Sequence, residues 1–270
     1  MIRLVKLTWL YPILLAALIL LVSSHSEAGI IVGELSHEKM VHIGEFYQGE
    51  ITLTNNDSLP QEVLIYQTDY LFFSDGSNQF GEAGKLERSN ATWITFSPHQ
   101  LEVPPHESSQ VSYEVTVPSD PTLVGTYWSI LMVEELSSDS SFDLSLKQVG
   151  VRQVMRYGVQ CITHIGSIGL TRLSFTGTRL AVAEDGEKEL QVDVENTGER
   201  WAVPTAWMEL YDIGGRYVGR FEGGRYRIFP GTSVRFQMKF RDIPSGKYKA
   251  MVILDTGDQN VFGAKYDLEL

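Results

Sequence analysis

Val111, Tyr113, Val115 and Val117 alternate with Ser112, Glu114 and Thr116. A period of two puts four apolar side chains on one face of a strand and the polar ones on the other. Pro118 ends the run, because it has no N–H to give a ladder. The next segment, Gly125 to Val133, is apolar on both faces, which predicts a strand covered on both sides. Upstream, a weakly alternating strand is expected over Gly29–Met40 and a cleaner one over Glu50–Thr54. Asn55 to Asp57 stop the latter, since Asx side chains favour a turn. Val63–Tyr70 reads as another strand, the glycines from Gly76 to Gly84 as a loop or hairpin, and 137–145 as a polar loop. Gln148–Ile165 is the longest amphipathic stretch. Val149, Val151, Met155, Tyr157, Val159, Cys161 and Ile165 share one parity; Arg152, Arg156, Gln160 and His164 share the other.

The second half repeats this outline. Leu190, Val192 and Val194 alternate up to a turn at Asn196–Gly198, a strand runs through Trp207–Tyr211, and Val234, Phe236, Met238 and Phe240 alternate after Pro230 and Gly231. Gly246 and Tyr248 open a last strand, to Leu254, as Gly125 and Tyr127 do in the first half. Tyr127 and Tyr248 stand where a tyrosine corner would place a core-packed ring with its hydroxyl on upstream backbone; the other reading is two ordinary strand tyrosines. The pattern therefore predicts an all-β chain of two tandem immunoglobulin-like β-sandwiches, over 29–165 and 171–270. The Gly-rich stretch 166–170 is the expected hinge.

The segment before Gly29 is of another kind. Arg3 and Lys6 precede an apolar run from Leu7 to Val22, then Ser26 and Ala28 in a small-x-small pattern. Residues 1–28 thus read as an export signal cut before Gly29. As an uncleaved anchor, the minority reading, the run would reach only about 24 Å of a hydrocarbon core roughly 30 Å thick. An exported or periplasmic location follows, with the membrane as partner only through an uncleaved signal. One cysteine, Cys161, allows no internal disulfide, so stability must come from the core, which 43% hydrophobic residues make feasible. Cys161 falls on the apolar side of its strand and reads as a buried, inert thiol.

Charge is unevenly spread. Residues 29–170 hold 6 Lys and Arg against 18 Asp and Glu, whereas 171–270 hold 14 against 15. So acidic a first half argues against nucleic acid and anionic lipid, both of which need a cationic face. Catalytic and metal motifs are missing. His37, Glu38 and His42 miss the spacing of a helical zinc site by one residue, and the glycines from Gly214 to Gly219 miss dinucleotide spacing and read as turns. Asp255 to Asp258 lacks the ligand alternation of a calcium loop and reads as a hairpin. No enzyme activity, cofactor or metal is expected.

Residues 29–165, with Ser89 and Trp93, Val103 to Pro105, and Gly125 to Tyr127, resemble the N-terminal domain of bacterial periplasmic pilus-assembly chaperones, and related sandwich domains of bacterial surface proteins. The second half looks like an immunoglobulin-like domain of bacterial exported proteins. The resemblance implies a chaperone-like, non-enzymatic protein whose partner is an exported or surface subunit in envelope assembly, captured by addition to an edge strand. It also implies basic residues in the cleft between domains that hold the partner's terminal carboxylate. Gln148–Ile165 matches the edge strand, and Arg156 or Arg152 would be the matching cation. Lys147, Arg152 and Arg156 are half of the cations in the acidic half, and cations beside backbone donors suit a carboxylate. The chaperones' second anchor is an Arg in the first strand, where this chain has only Lys39. Two alternatives stand beside this reading: these arginines only solubilise an exposed edge, or the protein is a structural or adhesive envelope module that binds protein or glycan through loops.

Overall fold

The computed structural model describes residues 29–136, 154–258 and 260–270. The alternating segments become strands stacked as two β-sandwiches in tandem. In the first lie β1 (Ile30–Val32), β2 (Ser36–Val41), β3 (Phe46–Asn55), β4 (Gln61–Phe72), β5 (Asn78–Gly81), β6 (Ile94–Ser97), β7 (Gln100–Val103), β8 (Ser108–Thr116), β9 (Gly125–Leu136) and β10 (Arg156–Ile165). One layer runs β1-β3-β8-β6; the other runs β2-β10-β9-β4-β5, with β7 also on β4. The expected single strand over Gly29–Met40 is two strands in different layers. β1 pairs antiparallel with β3, the chain crosses near Gly33, and β2 then pairs parallel with β10. Alternating residues meet between the layers as predicted: Leu53, Val111, Val115, Leu131, Val133 and Val159 are fully buried.

The second sandwich comprises β11 (Leu173–Val182), β12 (Lys188–Asn196), β13 (Thr205–Asp212), β14 (Tyr217–Arg225), β15 (Ser233–Phe240), β16 (Lys247–Asp255) and β17 (Val261–Glu269). Its layers are β11-β12-β15 and β14-β13-β16-β17. Leu190, Val192, Met208, Phe236, Met238 and Val252 are its fully buried centre. Tyr248 forms the expected corner, its hydroxyl donating to the Pro244 carbonyl at 2.8 Å. Tyr127 is held by its ring, 4.7 Å from Trp93 between centroids and under the Arg88 guanidinium at 5.4 Å. The segment from Asp255 to Asp258 is indeed a turn, with the Gly257 N–H donating to Asp255 Oδ1 at 2.8 Å.

A buried carboxylate organises the loop between β5 and β6. Asp69, 1% exposed, accepts the N–H groups of Gly84, Lys85 and Leu86 at 3.0, 2.8 and 2.8 Å. Ser89 Oγ donates to the same side chain at 2.5 Å. Such a nest ties a Gly-rich loop to the sheet without a core of its own.

Aromatic rings close the junction between the sandwiches. Phe229, in the β14–β15 connection, is fully buried and lies flat on Trp128 of β9, at 4.6 Å and 10°. Ile162, Leu71, Phe72 and Trp201 complete the cluster. Beside it the Thr126 N–H donates to the Glu199 carbonyl at 2.9 Å. Gly125 is required here: its φ is +81°, and a Cβ would sit 2.1 Å from that carbonyl oxygen. The connecting segment is strapped as well, since Arg200 Nη1 donates to the carbonyls of Gly166 and Ile168 at 3.2 and 3.1 Å.

Candidate functional site: the half-open edge of β10

β10 is zipped to β9 along its whole length, from Arg156 opposite Glu134 to Ile165 opposite Gly125. Its other side is shared unequally. β2 pairs only with Gln160 to Ile165, and among the described residues nothing pairs with Arg156 to Val159 on that side. The Gln160 N–H donates to the Leu35 carbonyl and the Gly166 N–H to Val41. Even-numbered residues therefore point their backbone groups at this edge, so Arg156 and Gly158 present theirs where no described strand lies. Odd-numbered Val159 and Cys161 are buried in the core. Burial pushes the Cys161 thiol up to about 12, which suits a core residue rather than a reactive one.

Arg156, the candidate cation, opens the strand and is already paired. Its Nε lies 2.9 Å from Glu134 Oε2, and Tyr66 donates its hydroxyl to that same oxygen at 3.0 Å. Arg156, Gly158 and Gln160 line a groove of about 490 Å³ on the outer face of the sheet, with Tyr66, Tyr70, Phe80, Ile130 and Met132 around it. Lys147, Arg152 and residues 148–153 of the expected strand Gln148–Ile165 lie outside the described residues.

The polar parity of β10 does not stay outward. His164, expected on the exposed face with Arg156, is 3% exposed, because the second sandwich covers that end of the strand. Its Nδ1 is 3.0 Å from Thr126 Oγ1, its Nε2 3.1 Å from Glu38 Oε1, and its ring 4.7 Å from Trp201. Burial, then the Arg200 and Arg227 charges, press its pKa down to about 4. The Glu38 carboxylate draws the other way, but it is 44% exposed and screened by solvent. Desolvation in turn raises the Glu38 pKa, with Arg227 opposing.

Sequence reasoning missed Arg227. It reaches from the second sandwich to the point where β2 meets β10, donating from Nη1 to Ser36 Oγ at 2.7 Å and to Gln160 Oε1 at 3.1 Å. Its guanidinium stacks 4.4 Å from the Trp201 ring centroid. Ser36 and Gln160 are the first register pair of the β2–β10 ladder, so this cation stands where the open edge stops. No local pattern announces it, because its role depends on the docking of one sandwich on the other. The residues of the discarded zinc-like motif go separate ways: His37 Nδ1 meets the Tyr113 hydroxyl at 2.7 Å, while His42 pairs with Glu45. Among the described residues, no group of three or more His, Cys, Asp or Glu is placed to hold a metal ion.

Two immunoglobulin-like sandwiches in tandem, with the last strand of the first left open on one side over its first four residues among the described residues, describe the class of fold. No family model matches the chain, and no curated protein matches it in sequence. Solved structures of bacterial pilus chaperones and their complexes are similar to it over most of its length. A chain from a chaperone–tip adhesin complex of CFA/I fimbriae biogenesis matches with a TM-score of 0.49 at 9% identity, covering 89% of this chain and 98% of its own. One from the chaperone–tip subunit pre-assembly complex of Acinetobacter baumannii Csu pili gives 0.45 at 15% identity, over 89% and 98%. The class 5 fimbriae chaperone CfaA gives 0.45 at 11%, over 89% and 100%.

Proposed function

We propose that this chain is an exported, chaperone-like protein that captures an extended segment of another polypeptide by strand addition along the open first four residues of β10, 156–159. The observation that carries this reading is the arrest of the β2–β10 ladder at Gln160, which leaves the backbone groups of Arg156 and Gly158 facing an edge that no other described strand fills. An incoming strand would gain ladder hydrogen bonds there at no cost to the β9 pairing. At the end of that edge stands Arg227, held by neutral Ser36 and Gln160 and stacked on Trp201. A terminal carboxylate arriving along the edge would meet this guanidinium. Arg156, engaged by Glu134, lies at the other end and would contribute to the groove more than to anchoring.

The test uses two synthetic peptides of alternating Val and Thr, one with a free C-terminal carboxylate and one amidated, titrated against the full exported chain. The free peptide should bind at least about tenfold more tightly than the amide, and Arg227→Gln should erase that difference. Arg156→Gln should change binding by less than about threefold. Arg156→Pro, which removes an N–H that the β9 ladder does not use, should abolish it with the fold intact. Indifference of both peptides to Arg156→Pro would sink strand addition at this edge and favour the structural envelope module.

A further inference from the structure

Edges of the second sandwich are protected unequally. In β11 the register with β12 skips Thr176, and in β14 the register with β13 skips Val218 and Gly223. Each extra residue sits on the edge strand itself, and such bulges keep an edge from pairing with another chain. β15 is flanked by β14, where a Cβ on Gly223 would lie 3.2 Å from Met238 Cγ. β17 has no such defence. It pairs with β16 without a shift from Val261 opposite Asp255 to Glu269 opposite Lys247, and among the described residues no strand lies on its far side.

The direction of its backbone groups follows from the end of the ladder. Leu270 and Gly246 exchange both hydrogen bonds, at 2.9 and 3.0 Å, so even-numbered residues of β17 face β16. Gly263, Lys265, Asp267 and Glu269 therefore turn their N–H and C=O groups outward. The side chains of Lys265, Asp267 and Glu269 lie on the exposed face, while Phe262, Ala264, Tyr266 and Leu268 alternate on the more covered one. Neither Lys265 nor Asp267 is in an ion pair among the described residues.

We propose that β17 is a self-pairing edge, on which a second copy of this chain docks antiparallel about a two-fold axis at Tyr266. Charge selects both the occupant and the register. An axis at Lys265 would set that lysine against itself, and an axis at Asp267 would do the same to the aspartate. With the axis at Tyr266, Lys265 of each copy faces Asp267 of the other, and the two tyrosines meet at the centre. The four outward residues then exchange about eight backbone hydrogen bonds between the copies, and the two four-stranded layers join into one continuous sheet. Such an isologous contact closes on itself, so it ends at a dimer. The inference is independent of peptide capture at β10, which uses the other sandwich.

The net charge of −12 opposes association of two copies, so the measurement belongs at about 0.15 M salt, where that repulsion is screened beyond roughly 8 Å. Sedimentation velocity of the full exported chain from about 1 to 100 µM should show a monomer–dimer equilibrium. Lys265→Asp puts like charges opposite each other twice in a symmetric dimer, and should weaken association about tenfold or more. The double swap Lys265→Asp with Asp267→Lys should recover it to within about threefold, a rescue that a merely structural role would not give. Lys265→Pro removes an outward N–H unused by β16, and should yield a monomer with unchanged circular dichroism. A monomeric wild type throughout that range would overturn the proposal. So would a dimer indifferent to these changes, or one lost on Arg156→Pro instead, which would place the contact at β10.

Discussion

Replacing Phe229 by Ala should uncouple the two sandwiches. The ring is fully buried, yet most of what it touches belongs to the first sandwich: Trp128 stacked at 4.6 Å and Phe72 edge-on at 6.1 Å, with Ile162 and Leu71 beside them. Truncating a buried Phe to Ala costs about 3–5 kcal/mol, and a well-formed aromatic pair adds about 0.5–1.5 kcal/mol beyond area. Neither sandwich core contains this ring, so the loss falls on the contact between them. Against a domain stability of roughly 5–15 kcal/mol, a loss of about 4 kcal/mol is a large share of the coupling. Urea unfolding followed by tryptophan fluorescence suits the case, since Trp128 and Trp201 both lie in the cluster, with calorimetry as a second probe. Wild type should unfold in one transition, and Phe229→Ala in two, the earlier one displaced to lower urea. Two transitions already present in wild type, or a variant that still unfolds as one unit with a loss below about 1 kcal/mol, would refute the wedge.

Two further outcomes concern stability. His164 is held neutral in the fold, its pKa near 4 against an ordinary 6.5; the unfolded chain therefore binds more protons between these values, and the stabilisation present above about 6.5 is lost as pH falls toward 4. The depression corresponds to about 3 kcal/mol, visible as a drop in melting temperature over that window that His164→Gln should lack; equal pH profiles would contradict it. Asp69→Ala strands the N–H groups of Gly84, Lys85 and Leu86, and at about 1–3 kcal/mol for each unsatisfied donor it should cost the first sandwich at least about 3 kcal/mol. Urea midpoints within experimental error of wild type would show that water replaces the carboxylate.

Strands with one wet face were legible from alternation alone, as Val111 to Val117 and Val234 to Phe240 show. Both runs bury the residues their period assigns to the core, Val234 alone remaining partly exposed. β14 and β17 were not anticipated, since Gly219, Gly223, Gly224 and Gly263 interrupt their patterns with residues that weaken any strand signal. The break between β1 and β2 was hidden for another reason: a strand that changes layers keeps extended backbone throughout, and only its partners change. At the site, the amphipathic run of β10 was readable, but the burial of His164 was not. Its face is polar by sequence, and it is covered only because another sandwich docks there. Arg227 and Phe229 lie in a connection between strands, where no periodicity reports what they will touch. Gly125 is the intermediate case: it was visible as a strand opener, whereas its reason, the Glu199 carbonyl pressed against it, is tertiary.

The parallel pairing of β2 with β10 also sets how the first sandwich would bear load. β2 lies near the start of that unit and β10 ends it, and six register pairs join them side by side in the same direction. Tension applied at Ser36 and Ile165 would thus pull the two strands past each other lengthwise. All the bonds of the ladder would be strained together, where an antiparallel hairpin pulled at its open end would yield one pair at a time. The unit would therefore resist lengthwise tension as a clamp. Pulled with a single-molecule probe between residues 36 and 165, the unit should rupture at a markedly higher force than when pulled between 46 and 116, which mark the adjoining ends of the antiparallel strands β3 and β8.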